Sequence, residues 1–501
     1  MLSFDLPLVL ATISSLLAVN WIYFKVLKIA KDKSIVDSPD ARKLQKAPVP
    51  ILGGIAVFFG VVTGVFAGSS FSWLLSDVLL YSPAWILCAM VMMVYVGATD
   101  DILGLTPRSR FVVELLTILG LILSGGGCID SLHGLWGVES FSWWIAVPLT
   151  LVAGVGIINA VNMIDGVNGL SSGLCISCCL MFGIVFRMVG DLPDALLAFT
   201  MAASLAPFLF HNVFGSKSRM FIGDAGTMMM GVAMAWFTIS MLRSDTSVRL
   251  IAVQKNVNMI AMTLAILSVP VFDTVRVMLL RILHKKSPFH PDKTHLHHIF
   301  IRMGVSHSIT ALTEVVIDLA IVGIWALSVK MRSSLDWQLY IVVVSSLALV
   351  WGVYFLIRRL EESHSELMHR LTRFSIKTHL GSTNGWLRLQ KWLDAPVAKY
   401  DLVNESSAAP KAGSLEVFYR FDDIPADNFR AQDRKRMYDF MNGKAEVFVD
   451  DIKRRSGADP LRVEDMVREG IADGFICVIK EGAWGAPNII TLIERENERT
   501  N

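Results

Sequence analysis

The stretch AVNMIDGVNGL, residues 160–170, lies between two long apolar segments and decides the fold. Segment 143–158 has no charged residue, and segment 174–189 contains only Arg187. Glycines let a backbone approach a ligand closely, and Asp and Asn supply oxygen atoms for a hard cation or hydrogen bonds for a nucleobase. A simple helix cap and turn is the alternative interpretation. Because other loops repeat this chemistry, we predict two membrane helices joined by a polar binding loop.

The composition extends this interpretation to most of the chain. Hydrophobic residues make up 53% and charged residues 18% of the 501 residues, whereas a soluble domain is about a quarter charged. The apolar runs reach membrane-spanning length. We therefore predict an all-α polytopic membrane protein with about 11 transmembrane helices, near residues 6–26, 51–68, 82–99, 111–125, 142–159, 170–187, 194–211, 227–243, 257–278, 308–329 and 338–357. The net charge of +2 does not identify a partner, and we expect no nucleic acid.

Lysine and arginine lie mainly in alternate loops, which predicts the orientation. The basic loops are 25–46, 100–110, 212–225 and 279–306, and loops 69–81 and 126–141 between them have neither residue type. Loop 244–256 is a mild exception. The basic loops and the C-terminus are therefore predicted to be cytoplasmic.

Three domains are predicted along the chain. Residues 1–360 form the membrane-embedded domain, and 361–410 form an amphipathic helix and a linker. Residues 411–501 form a small cytoplasmic α/β module of unknown role, with an unknown partner. Its predicted strands are 415–420, 446–449, 475–479 and 489–493, and its predicted helices are 427–441 and 463–473.

The polar loops on the predicted cytoplasmic face carry the candidate chemistry. Asp100 and Asp101 are adjacent, so each raises the other's pKa unless a cation neutralises them. Acidic residues at a helix C-terminus also oppose the helix dipole. A bound Mg²⁺ or a proton-transfer role would explain the pair. Asp224, between two glycines, is either a helix cap or a metal ligand.

The histidine cluster is the most specific of these features. His295, His297 and His298 lie near several lysines and suggest a cationic surface for a diphosphate. A zinc site is the weaker alternative, because this spacing does not suit one helix face and no Cys is near. Together the loops favour Mg²⁺-assisted phosphoryl transfer between a nucleotide and a lipid phosphate.

Five ordered motifs within residues 1–360 resemble a known family. They are DxPxxRK with PxPxLGG, DD, NxxNxxDGxxGL, FxGDxG and SPFxPDxxHxHH. This set is similar to the polyprenyl-phosphate N-acetylhexosamine-1-phosphate transferases of glycosyl transferase family 4, and the last motif resembles the WecA-like branch. The resemblance implies transfer of a sugar-1-phosphate from a UDP-sugar to undecaprenyl phosphate, with release of UMP.

The resemblance also implies a role for each motif residue. Asp100 would deprotonate or position the lipid phosphate, and Asp101 would support it. The remaining roles are Mg²⁺ ligation (Asp224 and Asn162, with Mn²⁺ as an alternative ion), phosphate contact (Lys43), nucleotide binding (Asp165 and its loop) and diphosphate binding (His295, His297, His298). Asn168 replaces a family aspartate, so base recognition is expected there rather than catalysis.

The same resemblance implies a bacterial inner-membrane enzyme that starts lipid-linked cell-envelope polysaccharide synthesis, such as O-antigen. UDP-N-acetylglucosamine is the expected donor, with UDP-N-acetylgalactosamine or another UDP-amino sugar as the alternative. A homodimer is one possible assembly. The competing class is a cation-coupled membrane transporter, which should place charges near the middle of the membrane rather than at loop edges. A non-catalytic scaffold would leave the Asp and His loops without a purpose.

Overall fold

The computed structural model describes residues 2–37, 48–76, 84–244, 256–288, 293–363 and 384–407, together with short segments and single residues between 437 and 492. The first helices are α1 (Leu2–Asp32), α2 (Gly53–Ser76), α3 (Ala84–Leu103), α4 (Pro107–Leu121), α5 (Trp143–Met163), α6 (Leu170–Val189), α7 (Leu192–Phe214) and α8 (Gly223–Leu242). They are followed by α9 (Met259–Ile266), α10 (Ser268–Leu283), α11 (Leu296–Arg302), α12 (His307–Lys330), α13 (Leu335–Ser346), α14 (Val353–Glu362) and α15 (Asn384–Ser407).

The predicted polytopic helical fold is confirmed. Within the described ranges, nine helices are long and apolar enough to cross a membrane, or ten if α9 and α10, bent by 79°, form one span. Nine of the eleven predicted spans coincide with these nine helices, the predicted span 257–278 coincides with the bent pair α9 and α10, and the fourth predicted span, 111–125, is not among them. The fourth is the short one, because α4 has 15 residues and continues as a π-helical turn at Ile122–Gly126.

Helix α8 lies at the centre of the bundle. Every residue from Ala225 to Leu242 is buried, and α8 packs against α2, α3 and α5. The outer helices instead expose large apolar side chains, such as Phe66, Trp144 and Val152. Apolar side chains facing outward are expected where lipid replaces water. The buried α8 therefore holds its first residues in one place for the surrounding loops.

Short contacts hold the start of α8 against the start of α2. Strand β1 (Val36–Asp37) pairs antiparallel with β2 (Val49–Pro50). The peptide N–H groups of Gly53 and Gly54 donate to the carbonyls of Phe221 (2.9 Å) and Ile222 (2.8 Å). A Cβ atom on Gly54 would collide with the backbone of Gly226. The PxPxLGG and FxGDxG motifs meet here because glycine lets the two backbones touch.

Helix α15 occupies a region that composition predicted to be a linker. Leu393 and Val397 are buried, and the Trp386 and Phe214 rings lie 4.6 Å apart. The Asp394 carboxylate accepts hydrogen bonds from the backbone of residues 216–218 and from the Ser218 hydroxyl. A few apolar contacts and the Asp394 hydrogen bonds therefore hold this segment as a helix against α7 and the loop that follows it. Most of the predicted amphipathic helix, 364–383, lies outside the described residues.

The chain divides into two compact units, Met1–Leu402 and Val403–Asn501. In the second, β3 (Val447–Phe448), β4 (Ile476–Glu481) and β5 (Pro487–Leu492) form an antiparallel sheet in the order β3-β5-β4. These strands coincide with three of the four predicted ones. The first predicted strand, 415–420, lies outside the described residues. Both predicted helices contain described helical residues, namely Met437, Met441, Val463, Met466 and Val467.

Candidate active site

Asp101 caps the N-terminus of the central helix. Its two carboxylate oxygens accept hydrogen bonds from the backbone N–H groups of Asp224 (2.9 Å) and Ala225 (3.2 Å). Unpaired N–H groups at a helix N-terminus are normally satisfied by such an acceptor, and a negative charge there is favoured by the helix dipole. Gly223 adopts a positive φ of 70° beside this carboxylate. Asp101 therefore fixes the backbone that carries Asp224.

Asp100, Asp224 and Asn162 converge on one arginine. Arg110 Nη1 lies 2.6 Å from Asp100 Oδ2 and 3.4 Å from Asp224 Oδ2. Arg110 Nη2 donates to Asn162 Oδ1 at 3.0 Å. The Asn162 amide also donates to Asp224 Oδ1 at 2.6 Å and to Thr227 Oγ1 at 2.7 Å. Residues from α3, α4, α5 and α8 thus meet at one partly exposed point.

Arg110 was not among the predicted site residues. In the sequence it was noted as a basic residue of the loop that follows Asp100 and Asp101, without a role in the site. The available signal was its position nine residues after the Asp100-Asp101 pair, at the edge of the fourth predicted span. A cation beside paired carboxylates is the partner that electrostatics requires.

The oxygen atoms around Arg110 suit a hard divalent cation. Asp100, Asp224 and Asn162 each direct one oxygen at the same guanidinium group, which is the convergence that a small cation also needs. Mg²⁺ is usually held by one or two carboxylates together with water and substrate phosphates. In the described part of the chain, no group of three or more His, Cys, Asp or Glu residues could hold a metal. The two carboxylates and the amide oxygen are ligands of the type that Mg²⁺ takes in proteins.

Glu114 and Asn159 form a second polar pair, one helical turn further along α4 from Arg110. Glu114, one helical turn after Arg110, is 1% exposed. Its carboxylate accepts a hydrogen bond of 2.5 Å from the Asn159 amide. Asn159 lies one turn before Asn162. Asn159 is the first residue of the NxxNxxDGxxGL motif, but its pairing with Glu114 was not predicted, although a glutamate and an asparagine within predicted spans are the signal for it.

The histidine loop packs against the central loop. A Cβ atom on Gly166 would collide with His297 Nε2, so the imidazole rests directly on the glycine. The His297 ring is stacked on His295 with centroids 5.6 Å apart, and it lies 4.3 Å from the His298 ring. His295 Nδ1 contacts Asp273 Oδ2 at 2.8 Å. Close approach of the two loops at Gly166 explains why a glycine is needed there.

The histidine cluster was predicted to form a cationic surface together with nearby lysines, and two of its rings do not contribute charge to it. Burial lowers the pKa of His298 to about 4, and the charges of His295 and Lys293 act in the same direction. Burial also lowers the pKa of His297 well below its usual range, with further lowering by the charges of His298 and His295. Both rings are therefore neutral near pH 7. They offer one N–H donor each, rather than a positive charge.

The remaining predicted site residues are Asp165, Asn168 and Lys43. Asp165 is exposed and accepts a hydrogen bond of 2.6 Å from the Ser171 hydroxyl. The backbone N–H of Asn168 donates to His307 Nδ1 at 3.4 Å. Lys43 lies outside the described residues.

The carboxylate and histidine clusters lie at the same end of the bundle. Asn162 contacts Asp224, and Gly166 contacts His297. Four residues of chain span at most about 14 Å. The central loop therefore brings the carboxylate cluster and the histidine cluster close together.

Ionisable residues are not confined to the loop edges, contrary to the sequence-based expectation. Among the described residues, seven acidic or arginine side chains lie buried in helices of the bundle: Glu114, Asp194, Asp273, Arg276, Arg281, Glu314 and Asp318. Several of them have protein partners. Trp236 Nε1 donates to Asp194 at 2.8 Å, and the Ser268 hydroxyl donates to Asp318 at 2.8 Å. Charge position alone therefore does not separate a transferase from a transporter.

Comparison with known proteins resolves the class. A family model described as glycosyl transferase family 4 matches residues 83–242. The chain is 32% identical over 309 residues to a Bacillus subtilis (strain 168) protein named "Probable undecaprenyl-phosphate N-acetylglucosaminyl 1-phosphate transferase", covering 61% of this chain and 80% of that protein. Proteins named undecaprenyl-phosphate alpha-N-acetylglucosaminyl 1-phosphate transferase are 30% identical in Yersinia pestis (60% and 79% covered) and 28% identical in Escherichia coli K12 (63% and 82% covered).

Proposed function

Because the chain belongs to glycosyl transferase family 4, we propose that it transfers N-acetylglucosamine-1-phosphate from a UDP-sugar to undecaprenyl phosphate and releases UMP. The product is a lipid-linked diphosphate sugar, the first intermediate of a cell-envelope polysaccharide. The observation that carries this proposal is the meeting of Asp100, Asp224 and Asn162 around Arg110, beside the loop that touches His297.

The acceptor phosphate binds beside Asp100 and Arg110. One of its oxygens forms a bond to the phosphorus that carries the sugar. The bond from that phosphorus to the oxygen it shares with the uridine phosphate breaks, and UMP leaves with this oxygen. Asp100 accepts the proton of the lipid phosphate or orients its oxygen. Arg110 adds a positive charge where the phosphate oxygens gather.

Asp224 and Asn162 would hold Mg²⁺, with Mn²⁺ as an alternative. When bound, this ion neutralises phosphate charge during transfer. Asp101 keeps the Asp224 backbone in place by its two hydrogen bonds. The geometry around Asp224 is then set before substrate arrives, which favours catalysis.

The donor binds along the central loop. Asp165 and Asn168 hydrogen-bond to the nucleotide, and Asn168 reads the base edge with its amide donor and acceptor. His295, His297 and His298 bind the diphosphate from the opposite side, and Lys43 adds a phosphate contact. The neutral rings of His297 and His298 each carry one N–H group, which can donate a hydrogen bond to a phosphate oxygen.

The protein is a multi-pass membrane protein, and we place it in the bacterial inner membrane. The basic loops that contain these residues face the cytoplasm, where UDP-sugars are present. The reported relatives are named as transferases, so the transporter alternative has no support from them.

The test is UMP release by the purified full-length chain from UDP-N-acetylglucosamine, undecaprenyl phosphate and Mg²⁺. Asp100→Asn and Asp224→Asn should each abolish release. Asp130→Asn is the matched control, because Asp130 accepts hydrogen bonds from Ser244 in a different loop region and should leave release unchanged. Full activity of either site variant would remove its assigned role. Replacing the donor by UDP-N-acetylgalactosamine identifies the sugar, and no release from any UDP-sugar would refute the proposal.

A further inference from the structure

Asp273 is a buried carboxylate that no predicted role uses. It lies in α10 and is 1% exposed. Its oxygens contact His295 Nδ1 at 2.8 Å and accept from the Leu296 backbone N–H at 3.1 Å. Arg276 Nη2 donates to Asp273 Oδ1 at 2.6 Å. One side chain thus binds both the imidazole and the backbone at the start of α11.

Arg276 holds the same segment from the next helical turn. Its Nη2 atom also donates to the Thr294 carbonyl at 2.7 Å. The guanidinium carbon lies 3.5 Å from the centroid of the Tyr354 ring, which is a cation–π geometry. Arg276 is 1% exposed. Burying an ion pair among apolar helices is unfavourable compared with apolar packing, so its presence here suggests a function.

The ion pair determines which nitrogen of His295 carries a proton. An ionised carboxylate can only accept hydrogen bonds, so Nδ1 of His295 must be the donor to Asp273. Orienting partners of this kind fix the tautomer and the ring plane of a histidine. The other nitrogen, Nε2, then lies on the ring edge away from Asp273. It can donate a hydrogen bond to a phosphate oxygen when it also carries a proton, because both nitrogens of an imidazolium are donors.

The orientation of His295 extends to the donor-binding loop. The His295 and His297 rings are nearly parallel, with 11° between their planes. His297 in turn rests on Gly166. A rotation of His295 would therefore displace the ring that contacts the central loop.

We propose that Asp273, paired with Arg276, is a positioning residue that orients His295 toward the diphosphate of the sugar donor. This inference rests on the proposed function and adds a residue that acts on one substrate only. Asp273 touches neither substrate itself. Its loss should weaken binding of the donor and leave binding of the lipid acceptor intact.

The test separates the two Michaelis constants in the full-length protein held in lipid nanodiscs. Asp273→Asn should raise KM for UDP-N-acetylglucosamine by about 10- to 100-fold, as expected for losing a hydrogen bond to a charged group. KM for undecaprenyl phosphate should stay within about twofold. Asp318→Asn is the matched control, because Asp318 is equally buried and binds Ser268 and Val269 at the start of α10. It should lower thermal stability without separating the two constants.

A second variant tests the inference if Asp273→Asn alone fails to fold. Asp273→Asn alone leaves Arg276 buried without its counterion, which is strongly destabilising. Combining it with Arg276→Gln removes both charges, and this double variant should fold and still show the selective rise in KM. On a His295→Gln background, Asp273→Asn should cause no further rise, because the carboxylate acts through that ring.

Equal changes in both constants, or additive effects with His295→Gln, would overturn the inference. If the wild type released no UMP from any UDP-sugar, the proposed function would be wrong. The inference would then be decided by calorimetric binding of UDP with Mg²⁺. Weaker binding by the Asp273 variants but not by Asp318→Asn would support it, and unchanged binding would overturn it.

Discussion

Replacing Gly97 with alanine should slow sugar-phosphate transfer by about a hundredfold, although Gly97 touches no substrate. Gly97 is buried in α3. A Cβ atom there would lie less than 3.0 Å from the carbonyl of Asp224 and from the backbone nitrogen of Ala225. Ordinary contact begins at 3.4 Å, so α3 and α8 must separate by about 1 Å. A displacement of about 1 Å at a catalytic group lowers the reaction rate about a hundredfold.

The expected change in the free energy of unfolding of Gly97→Ala is modest. Alanine gains about 1 kcal/mol over glycine in a helix, and overpacking costs about 1–3 kcal/mol. We therefore expect a modest fall in the thermal midpoint, with the protein still folded. The assay is UMP release at saturating substrates, with thermal unfolding of the same preparation.

Gly156→Ala is the matched control. Gly156 lies in α5, which also carries Asn162, but a Cβ atom there meets nothing within 4 Å. This variant should keep the wild-type rate and gain slightly in stability. If Gly97→Ala also kept the wild-type rate, the backbone contact between α3 and α8 would not set the position of Asp224.

Four other predictions test separate parts of the protein. Asn168→Asp should remain active in the UMP assay, because the family aspartate fits this loop, and loss of activity would mean that the amide is required. The folded-state pKa of His298, about 4, lies below its ordinary value of 6.5. The unfolded chain therefore binds more protons between these values, and the thermal midpoint should fall as pH drops from 6.5 to 4. His298→Gln should make this fall smaller, and an identical fall would contradict the assigned burial. Truncation after Ser407 should preserve basal turnover, whereas Asp394→Ala should destabilise the protein by about 1–2 kcal/mol in chemical unfolding, because residues 216–218 lose their acceptor. An unchanged unfolding curve for Asp394→Ala would mean that α15 does not hold this loop.

Patterns of apolar residues were sufficient to predict the helices. A run of about 20 apolar residues must form a helix in a bilayer, because each backbone polar group needs a partner within the segment. The same reasoning failed at 381–410, where polar composition suggested a linker. There, α15 is held by a few apolar contacts and by Asp394, which sequence periodicity over a short segment did not reveal.

The roles of individual site residues depended on contacts between distant segments. Asp101 is adjacent to Asp100 in sequence, yet it caps a helix that begins more than a hundred residues later. Arg110 and Asp273 were given no site role because their partners, Asn162 and His295, lie in distant segments of the chain. The charge state of His297 and His298 depended on burial, which the sequence does not report.

By itself, the sequence determined the membrane-spanning helices and the chemical groups of the central loop, because both follow from local composition. Only the tertiary structure decided which groups meet: Arg110 with Asp100 and Asp224, His297 with Gly166, and Asp273 with His295. The physical reason is that these contacts join segments far apart in the chain, and helix packing around α8 brings them together. Gly54, Gly97 and Gly166 let neighbouring segments approach closely enough for the polar groups to touch.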